Sequence, residues 1–331
     1  MKKIKMVLSS LLLGALLVGC GEKEVSKDKK YSLKIGTVLT ESDPTYEGLE
    51  YFKKEVEEKT NGNIIVELYS GGQLGTDEDI LEQAKIGAGV GVITDPGRIA
   101  NYIPEFGILG GPYLADDYEG ALKVMNTSVY DELVDKVENE SLKVLSFNFF
   151  QGTRNLFTKY PVAIPNDLKG QRIRCSGSNV VISSVAAMGG NTNVLPWSES
   201  YQALQQKVIE GVEVHNSAAY SSSIHEVTDY VSLTGHFQLL SGLVISDSWF
   251  KKLPEDYKAI LENASYDAGK FSSKLVLEKD EEFLEKLVAT GLKVVECDRE
   301  AFKEATKKVY KELGFEDLKN KIDEEIKNSE K

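Results

Sequence analysis

The chain has 331 residues, 41% of them hydrophobic and 27% charged, with a formal net charge of −13. That is enough chain for one large or two medium domains, and the composition excludes disorder as its ordinary state. The acidic balance argues against nucleic acid or an anionic membrane surface as the main partner of the folded part, because either would be repelled. Any anion that binds must be drawn by a local site.

Residues 1–20, MKKIKMVLSSLLLGALLVGC, open with Lys2, Lys3 and Lys5 and continue with an apolar run too short to span a bilayer comfortably. This reads as an export signal over 1–19. Its ending resembles the lipobox of bacterial lipoproteins, which implies lipidation at Cys20 and anchoring to the outer face of the cytoplasmic membrane or in the periplasm. The polar stretch 20–30, without an apolar period, reads as a flexible tether.

Order is predicted to begin near Tyr31. YSLKIGTVL (31–39) is strand-like, and PTYEGLEYFKKEVEEKT (44–60) carries Leu49, Phe52 and Val56 at helical spacing between Pro44 and an Asn61-Gly62 stop. NIIVELYS (63–70) is a second strand, TDEDILEQAKIG (76–87) a helix with Thr76 as N-cap, and VGVIT (90–94) a third strand. The rhythm predicts a mainly parallel sheet with helices on its faces. It restarts later: LKVLSFNFF (142–150), QRIRC (171–175) and VEVH (212–215) read as strands. SSVAAMGG (183–190) and SYQALQQKVIEG (200–211) read as helices, the second with Gly211 as C-cap. Beyond Pro254 the pattern is mostly helical, with one long amphipathic stretch over 254–291.

A search for catalytic patterns returns little. There are three histidines, His215, His225 and His236, and neither a G-x-S-x-G elbow nor a P-loop. GAGVGV (87–92) lacks dinucleotide-loop spacing and reads as a helix end entering a close-packed strand. Cys175 and Cys297 are expected to be free thiols, and with no CxxC or Cys/His cluster neither a metal nor an organic cofactor is implied. An enzyme reading rests only on Glu213 and His215, two apart on one strand, as an acid and base acting on acidic sugars.

Basic residues say more. In QRIRC, Arg172 and Arg174 alternate with Ile173 and Cys175 and so share one strand face, and Arg154 ends the preceding apolar run. A planar guanidinium matches a carboxylate in two-pronged fashion, and strand ends beside a cleft are where ligands collect in open α/β sheets.

These residues resemble the solute-binding subunit of tripartite ATP-independent periplasmic (TRAP) transporters, the DctP-like family, over nearly the whole mature chain. The resemblance is carried, in order, by YSGGQLGTDEDILEQAKIG, IPEFGILGGPYL, GTRNLFTKYPVAIPNDLKGQRIRCSGS, NVLPWSESYQALQQKVIEGVE, IHEVTDYVSLTGH and LPEDYKAIL. It implies a two-lobed, periplasmic-binding-protein-like (type II) α/β fold with a cleft between lobes and long C-terminal helices. The lobes are expected as 31–151 plus 240–279 and 152–239 plus 280–331. By position, Arg174 is the carboxylate-pairing arginine, Arg154 a second basic residue beside it and Arg172 a secondary one. Trp197 stands where an aromatic packs over the ligand. Asp77 and Asp95 fall at acidic positions that accept hydroxyl hydrogen bonds in some members and Glu213 at the acidic position after the Gly211 turn, with Thr37, Asn179 and His215 as further ligand-binding candidates. Cys-Ser-Gly after Arg174 and Glu213-Val214-His215 depart from the family pattern. The implied function is that of a monomeric receptor that hands an organic acid to integral-membrane permease subunits. A monocarboxylic sugar acid, hexuronate or aldonate, is the expected ligand and a C4-dicarboxylate the rival.

Overall fold

A computed structural model describes residues 30–329; the expected signal, Cys20 and tether therefore lie, apart from Lys30, outside the described residues. The strands are β1 (Tyr31–Gly36), β2 (Ile64–Tyr69), β3 (Val90–Thr94), β4 (Leu142–Thr158), β5 (Arg172–Cys175), β6 (Asn191–Val194), β7 (Gly211–Val214), β8 (Tyr230–Ser246) and β9 (Lys293–Val295). They lie in the order β2-β1-β3-β8-β4-β7-β5-β6, with β9 beside β8. β1 pairs in parallel with β2 and β3, and β5 with β6 and β7. These two parallel halves are the two lobes.

What joins the lobes is the antiparallel pair β4 and β8, each 17 residues long, running through both halves. The sequence reading ended β4 at Phe150 and did not identify β8, because Gly, Ser, Thr and Gln interrupt its apolar run. The ladder shifts register between Phe150 and Gly152 and again between Arg154 and Leu156. Gly152 has φ +131°, and a Cβ there would stand 2.9 Å from the Cβ of His215, so a side chain would meet both strain and a clash.

Helices cover the sheet much as expected. Asp43 caps the helix Pro44–Lys59, which buries Leu49, Phe52 and Val56 completely. Each such burial contributes about 1.5 to 3 kcal/mol. Thr76 and Asp79 cap each other's backbone at the helix Asp77–Lys85. The helix Glu255–Ala289, 35 residues and about 50 Å long, backs both lobes: Ala264 and Ala268 sit in the core of the first, Leu287 in that of the second. Its small residues let β4 close in, and Ser273 accepts from the Phe150 N–H at 2.8 Å and donates to the Asn148 carbonyl at 2.9 Å.

Three expectations are corrected. The helix from Ser200 ends at Gln205, where Lys207 takes a left-handed turn, so Gly211 opens β7 and is no C-cap. The helix expected from Ser183 starts earlier, at Asn179, and runs to Ala187. The end of the chain, expected in the second lobe, packs Tyr310, Phe315 and Ile322 into the same apolar cluster as Phe106, Val124 and Leu133. The helix Glu316–Ser329 thereby straps back onto the first lobe.

Candidate functional site

The cleft forms where the chain leaves the carboxyl ends of β1, β3, β5 and β7, on both sides of the β4–β8 hinge. The space within it, counted out to the solvent at its mouth, is about 720 Å³. Among its lining residues are Thr37, Asp77 and Arg98 of the first lobe, Arg174 and Trp197 of the second, and Gln151 of the hinge.

Arg174 projects from β5 and is 3% exposed. Its Nε donates to the Leu195 carbonyl at 2.9 Å, and its guanidinium lies 5.5 Å from the centre of the Trp197 ring, whose Nε1 donates to Ser222 Oγ at 3.2 Å. The ring is thus pinned and the arginine aimed. No carboxylate of the described residues lies within 4.0 Å of it. Burial pulls its pKa down to about 10, against the favourable field of Glu213, so it stays charged at neutral pH.

The other cations are occupied. Arg154 also faces the cleft, but its Nε donates to Glu213 Oε2 at 2.6 Å and its Nη2 to the Glu213 main-chain carbonyl at 2.8 Å and to Oε1. Burial would raise the Glu213 carboxyl; Arg154 and His236 outweigh it and bring the pKa to about 2. Glu213 is therefore a permanent anion that holds Arg154, and it lines a small neighbouring cavity instead of the main cleft. Arg172 is no part of the cleft: it is exposed and pairs with Glu210 and the Lys207 carbonyl, because β5 is short and Arg172 sits at its outer end.

Sequence reasoning missed Arg98. It faces the cleft from a short helix begun by Asp95 and Pro96, ion-paired to Asp95, to Asp77 at 3.3 Å and to Glu78 at 3.1 Å. The Asp-Pro-x-Arg spacing, an N-cap followed three residues later by a cation, was the available signal. Asp77 is buried, and its Oδ1 has no hydrogen-bond partner. Burial, only partly offset by Arg98, pushes its pKa up to about 7.

The remaining candidates divide. Thr37 lines the cleft while its hydroxyl accepts from the Leu39 N–H at 3.1 Å. His215 lines it too, buried, with Nε2 3.9 Å from Asp43 Oδ2 and neither ring nitrogen within hydrogen-bond geometry of a partner. Asn179 does not: it is exposed at the start of its helix, and Ser176 and Val180 take its place on the wall. Gln151, Phe237 and Leu239 of the hinge strands also line it, unforeseen because hinge strands were read incompletely. With Glu213 bound to Arg154, the acid and base pair of the enzyme reading is not assembled.

The lobes touch. Ser217 Oγ of the second donates to Asp43 Oδ2 of the first at 2.9 Å, and Gly97 abuts Ser178 so closely that a Cβ would lie 2.2 Å from its hydroxyl.

Two α/β lobes on a hinge of crossing strands, with a buried arginine facing the gap, define an extracytoplasmic solute receptor. The chain belongs to the bacterial extracellular solute-binding proteins, family 7, the DctP family of TRAP transporters, whose model matches residues 35–317. It is 25% identical over 316 residues, 95% of this chain and 96% of the other, to the 2,3-diketo-L-gulonate-binding periplasmic protein YiaO of Escherichia coli. To the C4-dicarboxylate-binding periplasmic protein DctP of Rhodobacter capsulatus it is 26% identical over 290 residues, 85% of this chain and 86% of the other. A TRAP solute-binding protein from Ochrobacterium anthropi, solved with bound L-fuconate, superposes with TM-score 0.86 at 33% identity, covering 90% of this chain and 99% of that one. Receptors of this family bind small organic acids and work with membrane permease subunits.

Proposed function

We propose that the protein captures a polyhydroxylated monocarboxylate, a hexuronate or aldonate, and delivers it to TRAP permease subunits from outside the cytoplasmic membrane, as a monomer tethered by a lipid on Cys20. The observation that carries this reading is the inequality among the cleft arginines. Arg174 alone lacks a carboxylate partner, whereas Arg154 and Arg98 are already neutralised. One carboxylate has a place; a second would need a cation that is taken, and would face Asp77, Glu78 and Asp95. That same acidic wall, with the unpartnered Oδ1 of Asp77, suits the hydroxyls of a sugar acid, and the Trp197 ring suits its C–H face. A charge-assisted two-pronged contact contributes about 1.5 to 3 kcal/mol. That is on the scale needed to bias two lobes toward closure. The relatives that bind L-fuconate and 2,3-diketo-L-gulonate agree with this reading, and the dicarboxylate-binding relative marks its rival. Mass spectrometry of the small molecule that co-purifies, followed by calorimetric titration of hexuronates, aldonates and C4-dicarboxylates, tests it. A sugar acid binding at least tenfold tighter than any C4-dicarboxylate is expected, and the reverse order sinks it. Globomycin sensitivity of the processed form checks the anchor at Cys20.

A further inference from the structure

Beyond Arg174 the cleft does not end. A second, more open space of about 710 Å³, counted out to solvent, continues outward, walled by Val194, Leu195, Pro196 and Ser198 of the second lobe and by Thr76 and Glu78 of the first. Asp77, Arg98, Arg174 and Trp197 line both chambers, so they form the junction between them. The outer chamber is not the gap of an open form, because the lobes already meet at Gly97–Ser178 and Asp43–Ser217. Its rim is built to stay accessible: Val194 closes the edge strand β6 and is 55% exposed, and a Cβ on Gly177 would meet nothing nearer than Val194 Cγ1 at 3.9 Å.

The two chambers are continuous through this junction, so a ligand held there meets space on both sides of it. A carboxylate on Arg174 then sits at the boundary, with the second chamber beyond it. In a glycosiduronic acid, C5, which bears the carboxylate, and C1, which bears the glycosidic bond, flank the same ring oxygen. A uronate held by its carboxylate at the junction therefore has its anomeric substituent within reach of the outer chamber. The second-lobe wall is mostly apolar and suits a sugar's C–H face, with the Ser198 hydroxyl beside it; the first-lobe wall offers Glu78 and Thr76 to its hydroxyls.

We infer that the two-chambered cleft takes an acidic disaccharide, a uronate glycosidically linked to a second sugar, with the uronate in the inner chamber, its carboxylate on Arg174, and the second sugar against Val194, Pro196 and Ser198. The inference rests on the sugar-acid reading and names its substrate more narrowly. It is tested by calorimetry with D-glucuronate and D-galacturonate, each free, as the methyl glycoside, and linked to D-xylose. At least one uronosyl-xylose should bind tenfold or more tightly than its free uronate. Val194→Trp and Ser198→Trp, which place a large ring at either end of the Val194–Ser198 lining, should each bring that ratio close to one, with unfolding curves confirming that both fold. Free uronates binding as tightly as, or tighter than, their disaccharides would overturn the inference and leave the sugar-acid reading standing. Failure of every uronate to bind would overturn the inference, and failure of aldonates in the same titrations would overturn the sugar-acid reading as well.

Discussion

Glu213 grips Arg154 with both carboxylate oxygens and its own main-chain carbonyl, and so fixes which arginine of the cleft remains available. The pair is buried, Glu213 at 1% side-chain exposure and Arg154 at 13%. Breaking such a pair from one side costs about 3 to 5 kcal/mol because the other charge is left uncompensated. Glu213→Gln is therefore expected to lower unfolding stability by that order in urea titrations of the ligand-free protein. Arg154→Met in the same background should recover most of the loss. A loss under about 1 kcal/mol would show that the pair is not organised as described.

Arg174 presents the opposite case, a buried guanidinium without a counter-ion. Such a group is destabilising to the empty protein, because burial disfavours its charged form. Arg174→Met should raise the melting temperature of ligand-free protein while lowering affinity for the sugar acid about 10- to 100-fold, the equivalent of one charge-assisted contact. Arg174→Lys should also weaken binding, since an ammonium cannot make the two-pronged contact or stack on Trp197 in the same way. Unchanged affinity in both variants would remove Arg174 from the ligand.

Asp77 and Glu213 make opposite contributions to pH dependence, in windows that meet near pH 4. The Asp77 carboxyl titrates near pH 7 in the folded chain against an ordinary value of 3.8, so between those limits the folded state holds a proton that the unfolded state has released. Stability from this group accordingly falls as pH rises from about 4 to 7. Glu213 is held near 2 against an ordinary 4.5, so its contribution is present above pH 4.5 and is lost as pH drops toward 2. Urea unfolding of wild type and Asp77→Asn across pH 5 to 8 should show the wild type losing ground to the variant as pH rises. Parallel curves would mean that Asp77 titrates normally.

Much of this architecture was legible from residue pattern. Period and capping located the helices at Pro44 and Thr76 and the parallel strands around them, because in those segments local preference and burial agree. β8 was not legible: it runs from one lobe's core through the hinge to the other's, so its pattern of Gly, Ser, Thr and Gln answers to two environments in turn. In the site, strand alternation assigned Arg172 and Arg174 to one face, yet only Arg174 reaches the cleft, because Arg172 lies at the outer end of β5 where Glu210 can take it. Arg98 escaped notice for a related reason. Its role depends on Asp77 and Glu78, some twenty residues away in sequence, which only the packing of two helix starts brings to it.

Gly97 supplies a test of lobe closure that does not touch the ligand's charge. A Cβ on it would lie 2.2 Å from Ser178 Oγ and 2.5 Å from Ser178 Cβ, across the gap between lobes. No rotation of the serine relieves the second distance, so Gly97→Ala must hold the lobes apart. An empty receptor can rest open at little cost, whereas the liganded one must close, so apparent affinity falls by the fraction of molecules still able to do so. Gly97→Ala should weaken sugar-acid binding tenfold or more with little change in the melting temperature of ligand-free protein. Small-angle scattering should show a smaller contraction on saturation than in wild type. Ser178→Gly, which removes the opposing side chain, should restore affinity in the double variant. Failure of that rescue would locate the effect within the Asp95–Arg98 turn instead of between the lobes.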